Sequence, residues 1–312
     1  MDTATLPALR ENIRKAFVGK EETVDLLLTA LICRGHVLIE DLPGLGKTTL
    51  ASALARSLGC SFGRIQFTPD VTPADVTGYS VIDLASGKRE TRMGSIMHQV
   101  VLVDEINRAG PKTQSALLEA MQEGQVTIDG ETFPLPTPFL VLATQNPMGL
   151  AGTFPLPEAQ LDRFLMRISL GYPEKAEEQQ ILRMGLEGKT VKELSSVVST
   201  EDLETLYDAY QKVRCEQPVI DYVISIANAT RRNEAIELGV SPRGSLALLN
   251  ASRAYALLNE RDYVRPDDVQ RLCKPVLLHR IRLKSQALLK RQSADRVLRD
   301  ILSALPVPGV KG

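Results

Sequence analysis

Between Val37 and Leu58 a short apolar run, a glycine-punctuated loop and a helix-forming run follow one another without a break. Val37-Leu38-Ile39 reads as a buried strand, Leu42-Pro43-Gly44-Leu45-Gly46 as a tight loop, and Leu50 to Leu58 as a helix. A strand, loop and helix in that order form the setting of a phosphate-binding loop. Gly44 and Gly46 let the backbone turn its N–H groups into one cavity, and the positive end of the new helix faces the same anion. In such a loop Lys47 reaches the β- and γ-phosphates and the Thr48 hydroxyl holds Mg²⁺. Pro43, Gly44, Leu45, Gly46, Lys47, Thr48 and Thr49 are therefore the candidate nucleotide-binding residues. The usual pattern opens with glycine; this chain has Asp41 there and keeps Gly44-x-Gly46-Lys47-Thr48, which reads as a variant of the same loop.

Val100-Val101-Leu102-Val103-Asp104-Glu105 is the second constraint. Four successive apolar residues suit a strand buried on both faces of a parallel sheet. Two acids at its end place carboxylates at the carboxyl edge, where open α/β sheets bind ligands. Asp104 would hold Mg²⁺ through water, and Glu105 would polarise the attacking water. With the loop, this points to a nucleotide hydrolase using ATP and Mg²⁺. Phe139 to Pro147 is a further buried strand, ending in polar residues. Asn146 at its end would lie beside Asp104 and orient the hydrolytic water, or else cap a turn.

Around these strands the pattern suggests helices over residues 6 to 33, broken at Phe17-Val18-Gly19-Lys20. That break either covers an adenine base or belongs to plain packing helices. Gly78 to Arg92 reads as two arms around Ala85-Ser86-Gly87-Lys88, a projecting hairpin that engages a partner or merely connects. Gln125 to Leu135 is a hairpin around Asp129-Gly130. Arg163 follows a short helix; it is either a surface charge or, in a ring, a finger reaching a neighbour's γ-phosphate. Past Gly171-Tyr172-Pro173 the pattern turns helical to the end, so the boundary is placed at 172: a nucleotide-binding α/β domain over 1–172 and a helical lid over 173–312. In the lid, Ser241 as cap and Pro242 at the first helical position put Arg243 in the first turn. The helix dipole disfavours a cation there, so an anion is expected, either a γ-phosphate in the interdomain cleft or an ordinary salt bridge.

Composition narrows the class. The 312 residues are 44% hydrophobic and 24% charged with a net charge of −1, an ordinary globular balance without a basic field for nucleic acid or membrane. Aromatics are 4% and Trp is absent, which weakens a base-stacking role. Cys33, Cys60, Cys215 and Cys273 are far apart and read as buried thiols in a reducing cytosol. No signal peptide is visible and no apolar run approaches the roughly 20 residues that span a bilayer. The expected location is the cytoplasm.

The blocks Glu40-x-x-Pro43-Gly44-x-Gly46-Lys47-Thr48, Val103-Asp104-Glu105-Ile106-Asn107-Arg108, Gln114 to Met121, Ala143-Thr144-Gln145-Asn146-Pro147 and Pro157 to Phe164 resemble the MoxR family of AAA+ ATPases, and Ser241-Pro242-Arg243 is similar to its lid motif. The resemblance runs from about residue 17 to the C-terminal helices. It implies an AAA+ P-loop domain with a parallel sheet flanked by helices, followed by a smaller all-α lid. It implies sensor 1 at Asn146, an arginine finger at Arg163, sensor 2 at Arg243, and Val18 and Gly19 at the adenine pocket. It also implies a hairpin inserted in the second helix (about 78 to 96), another before sensor 1 (about 125 to 138), a hexameric homo-oligomer, and a chaperone activity on protein clients. Partners in the family often carry a von Willebrand factor A domain. Two other readings stand beside this one: an AAA+ motor on nucleic acid, for which Lys88, Arg89 and Arg92 are the local basic cluster, and a monomeric nucleotide switch or small-molecule kinase.

Overall fold

The computed structural model describes residues 5–82, 84, 87–146, 152–188 and 190–309. Ala85 and Ser86 of the expected hairpin loop, Pro147 of the strand-end motif and the tail residues 310–312 lie outside the described residues. The chain runs α1 (Thr5–Arg14), α2 (Glu21–Ile32), β1 (Val37–Glu40), α3 (Lys47–Ser57), β2 (Phe62–Gln66), α4 (Pro73–Thr77), β3 (Gly78–Ile82), β4 (Arg89–Met93), β5 (Val100–Asp104), α5 (Pro111–Glu123), β6 (Gln125–Ile128), β7 (Glu131–Pro134) and β8 (Leu140–Gln145). It continues α6 (Glu158–Leu161), β9 (Met166–Ile168), α7 (Lys175–Leu186), α8 (Thr200–Lys212), α9 (Gln217–Arg232), β10 (Ile236–Leu238), α10 (Pro242–Leu258), α11 (Pro266–Leu277), β11 (Arg282–Leu283), α12 (Ser285–Leu289) and α13 (Ala294–Ala304).

Five strands form one parallel sheet in the order β2-β5-β8-β1-β9. Side chains alternate across a strand, and β1 shows it. Val37 and Ile39 face a core shared with α1, α2, α3 and the later helices, while Leu38 faces a second core with Val103, Leu117 and Phe164. Every residue of β5 is buried, as its unbroken apolar run requires. The parallel sheet between helix layers, with a helical lid, is the architecture expected.

α7 to α13 follow the sheet as one mainly helical region. The first core runs on into it through Leu203, Tyr207, Leu248 and Ala251, so the lid packs against the α1–α2 layer. The lid also carries a short antiparallel pair, β10 with β11, which the helical patterning hides because each strand is only two or three residues long. The cap of α10 forms as read: Ser241 accepts the Gly244 N–H and Pro242 opens the helix.

Both hairpins are present. β3 pairs with β4 antiparallel from Gly78–Met93 to Ile82–Arg89, and Leu84 near its tip is 96% exposed. β6 pairs with β7 around Asp129 and Gly130, both at positive φ as a two-residue turn requires. Arg89 pairs with Asp129 at 2.8 Å, so the two hairpins are joined. Among the described residues no helix is long and apolar enough to cross a membrane.

Candidate functional site

The phosphate loop leaves the carboxyl end of β1 and closes at α3. Gly44 and Gly46 have φ of 85° and 86°, a left-handed geometry that a side chain would strain. The loop opens on a cavity of about 380 Å³ lined by Pro43, Gly44, Gly46, Lys47, Thr48 and Thr49, together with Asp104, Glu105 and Asn146. The predicted loop, acids and asparagine therefore meet in one place. Lys47 Nζ donates to the Asp41 carbonyl at 2.8 Å. Burial lowers its pKa, while Asp41, Asp104 and Glu105 pull the other way.

Asp104 ends β5 and is 9% exposed. Its carboxylate accepts Arg64 Nε at 2.7 Å and the Thr144 hydroxyl at 3.2 Å. Glu105 sits in the left-handed region (φ 56°, ψ 52°), an uncommon state for a residue with a side chain, and its N–H donates to Thr144 Oγ1 at 2.9 Å. That turn aims the carboxylate at Arg108 (2.8 Å) and Gln66 (3.2 Å). One hydroxyl thus fixes both acids. Thr144 Oγ1 donates to the first and accepts from the backbone of the second.

Sequence reasoning missed Thr144, Arg64, Gln66 and Arg108. Thr144 was within reach, because on a strand it shares a face with the position two further on, Asn146. Arg64 and Gln66 depend on β2 lying beside β5, with Gln66 opposite Asp104, and strand order is not written locally.

A second cavity of about 490 Å³ adjoins the loop. It brings Val18 and Gly19 together with Leu45 and Thr49, and its far wall is Leu170 to Pro173 with Ile181 of α7. It is mostly apolar, with the phosphate loop at its mouth, a shape suited to a flat heterocycle. Asp41 lies between this wall and the loop. It is 7% exposed, and its carboxylate accepts the Ser169 hydroxyl at 3.1 Å and the backbone N–H of Leu170.

Arg163 and Arg243 are elsewhere. They line a third cavity, of about 240 Å³, with Arg34, Asp162, Leu246 and Arg280. Residues 34–36 precede β1 and the phosphate loop follows it, so the two sites lie at opposite ends of a four-residue strand, roughly 13 Å of chain. Asp162 and Arg163 likewise precede β9. The structure brings Arg163 and Arg243 together but brings neither to the cavity of Lys47. Arg163 donates to the Leu118 carbonyl at 3.1 Å. Arg280, 6% exposed, donates to Asp162 at 2.7 Å and to the Phe164 carbonyl at 2.6 Å, and Ser241 Oγ donates to Asp162 at 2.9 Å. Burial lowers the Arg280 pKa and Asp162 opposes it. This buried knot fixes the start of α10 against the residue before Arg163.

A family model described as "ATPase family associated with various cellular activities (AAA)" matches residues 36–166, and one described as "AAA lid domain" matches residues 228–301. The chain is 49% identical over 298 residues to "Uncharacterized protein YeaC" of Bacillus subtilis (strain 168), covering 96% of this chain and 93% of that one. It is 41% identical over 308 residues to "Chaperone MoxR1" of Mycobacterium tuberculosis, covering 96% and 81%. A crystal structure from Cytophaga hutchinsonii, described as a "putative ATPase", superposes with a TM-score of 0.91 at 35% identity, covering 98% of this chain and 96% of that one.

Proposed function

The chain belongs to the MoxR family of AAA+ ATPases, and from that premise we propose that it hydrolyses ATP as one subunit of a hexameric ring that remodels or matures a protein client. The observation that carries the reading is the pairing of two incomplete sites in one molecule. At one end of β1 lies a cradle for a polyphosphate with its acids in place; at the other lies a cavity of four arginines and one carboxylate. A head-to-tail ring sets the arginine end of each subunit against the cradle of the next.

In this reading Lys47 and the loop N–H groups bind the β- and γ-phosphates, and the base lies in the cavity of Val18 and Gly19. Thr48 and Asp104 would hold Mg²⁺. Two hard oxygens in one cavity fit an ion that takes few protein ligands and completes its shell with phosphate and water. When bound, Mg²⁺ neutralises charge on the β- and γ-oxygens. Glu105 accepts a proton from the attacking water, which Asn146 orients; the water oxygen bonds to the γ-phosphorus as its bond to the leaving ADP oxygen breaks. Arg163 and Arg243 of the neighbouring subunit stabilise the charge that develops. This moves Arg243 from its own interdomain cleft to the neighbour's site, because it shares its cavity with Arg163.

The client side rests on the family resemblance: a protein partner in the cytoplasm, which in such relatives often carries a von Willebrand factor A domain. The exposed Ile82 and Leu84 of the first hairpin offer apolar contact for it. Arg89 of the local basic cluster is paired with Asp129, which takes charge away from a nucleic-acid surface.

Melting with and without nucleotide tests the cradle. Wild type gains about 2.7 kcal/mol at a hundred times Kd, a rise of several degrees, and Lys47→Ala shows no rise. A retained rise in that variant removes Lys47 from the site.

A further inference from the structure

Where a phosphate loop usually opens with glycine, the side chain of Asp41 makes contacts that glycine cannot. β1 and β9 run parallel, and their last paired residues are Ile39 and Ile168. Beyond that pair the chains diverge, β1 into the phosphate loop and β9 into Ser169–Pro173. The Asp41 carboxylate spans the gap. Oδ1 accepts the Ser169 hydroxyl at 3.1 Å, Oδ2 accepts the Leu170 N–H, and the Gly171 N–H lies 3.4 Å from both oxygens. Gly171 is left-handed (φ 68°), so successive N–H groups turn toward one point and form a small concavity for an anion. The chain fills it with its own carboxylate. A charge this buried is tolerated because donors surround it.

The two sides of that bridge do different work. Through its backbone carbonyl Asp41 holds Lys47 Nζ at 2.8 Å. Through its carboxylate it holds Leu170 and Gly171, which with Tyr172 and Pro173 form a wall of the cavity next to the loop. We propose that Asp41 is a positioning residue for nucleotide binding, registering the base cavity against the phosphate loop so that an adenine nucleotide is held at both ends. The inference rests on the reading of these cavities as a nucleotide site and adds a specific grip to it. Without the carboxylate, the Ser169–Pro173 wall must be ordered by the base itself, which lowers affinity. The phosphate end is spared, since the Lys47 contact uses the backbone that every residue has. Removing a negative charge beside Lys47 favours an anion there.

Calorimetric titration of ADP and of pyrophosphate into wild type, Asp41→Gly and Asp41→Asn separates the two ends. In Asp41→Gly the Kd for ADP rises about tenfold, the loss of a hydrogen-bonded charged acceptor, while that for pyrophosphate is unchanged or lower. Asp41→Asn, which keeps an acceptor for the Leu170 N–H, loses less ADP affinity than the glycine variant. Equal weakening of both ligands, or undiminished ADP binding in Asp41→Gly, overturns the proposal. If the glycine variant does not fold, the same contrast read in Asp41→Asn decides: weaker ADP with intact pyrophosphate supports it, and equal weakening overturns it. Wild type binding neither ligand overturns the nucleotide-site reading and this inference with it.

Discussion

The two ends of β1 carry the same kinds of groups in opposite balance. At the carboxyl end the charges of one chain answer each other: Arg64 faces Asp104, Arg108 faces Glu105, and Lys47 lies among Asp41, Asp104 and Glu105. At the amino end Arg34, Arg163, Arg243 and Arg280 line a cavity whose carboxylate, Asp162, is already taken by Arg280 and Ser241. The first end is a cradle whose charges are balanced before ligand enters. The second has a surplus of cations placed where no phosphate of its own loop reaches. On the proposed reading the surplus serves another molecule, which a ring would supply in every neighbour.

The largest expected effect breaks the second end while leaving the first intact. Arg163→Ala lowers ATP turnover about 10³-fold, and mixing it with Lys47→Ala restores part of the rate, because the second variant donates an intact arginine end. Arg243→Ala behaves alike with a loss of about 10²-fold, since it shares the cavity. Rates are read by phosphate release on mixed rings confirmed by mass. Arg243→Ala that no partner rescues places that residue back in its own chain's site.

Acid should sharpen the contrast by a smaller amount. His36, at the arginine end, accepts the Val141 N–H on Nδ1 and donates from Nε2 to the Met121 carbonyl, so it is neutral. Burial depresses its pKa from 6.5 to about 4. Below pH 6.5 the unfolded chain takes up a proton that the folded one refuses, so stability falls with pH from 6.5 down to 4. The full loss is about 3 kcal/mol, at 1.36 kcal/mol per unit across the 6.5-to-4 interval. His279, buried against Arg280, is lowered in the same direction and adds to it. Denaturant melts across that range check the slope, which His36→Gln flattens.

The cradle was legible because its parts are contiguous or end a strongly apolar strand. Gly44 to Thr49 are neighbours in the chain, and Asp104 and Glu105 follow four apolar residues. The hairpin at Asp129-Gly130 was legible for the same local reason. The arginine cavity was half legible: Arg163 and Arg243 stand out by motif, but their meeting depends on how the lid packs on α2 and on the Asp162–Arg280 pair, which joins residues far apart in the chain. The wall of the second cavity at Leu170–Pro173 read only as punctuation, because its position arises from β9 running beside β1. Asp41 was visible as a departure from pattern, yet its partners were not.

In the proposed ring, neighbouring subunits meet across a nucleotide. Mass by light scattering of Glu105→Gln, which is expected to bind ATP without turning it over, is the deciding measurement, made with and without ATP and Mg²⁺. A closed ring of neighbours would raise the mass on ATP to about six subunits. A monomer under both conditions at micromolar protein would contradict it and leave Arg163 and Arg243 without a phosphate to reach.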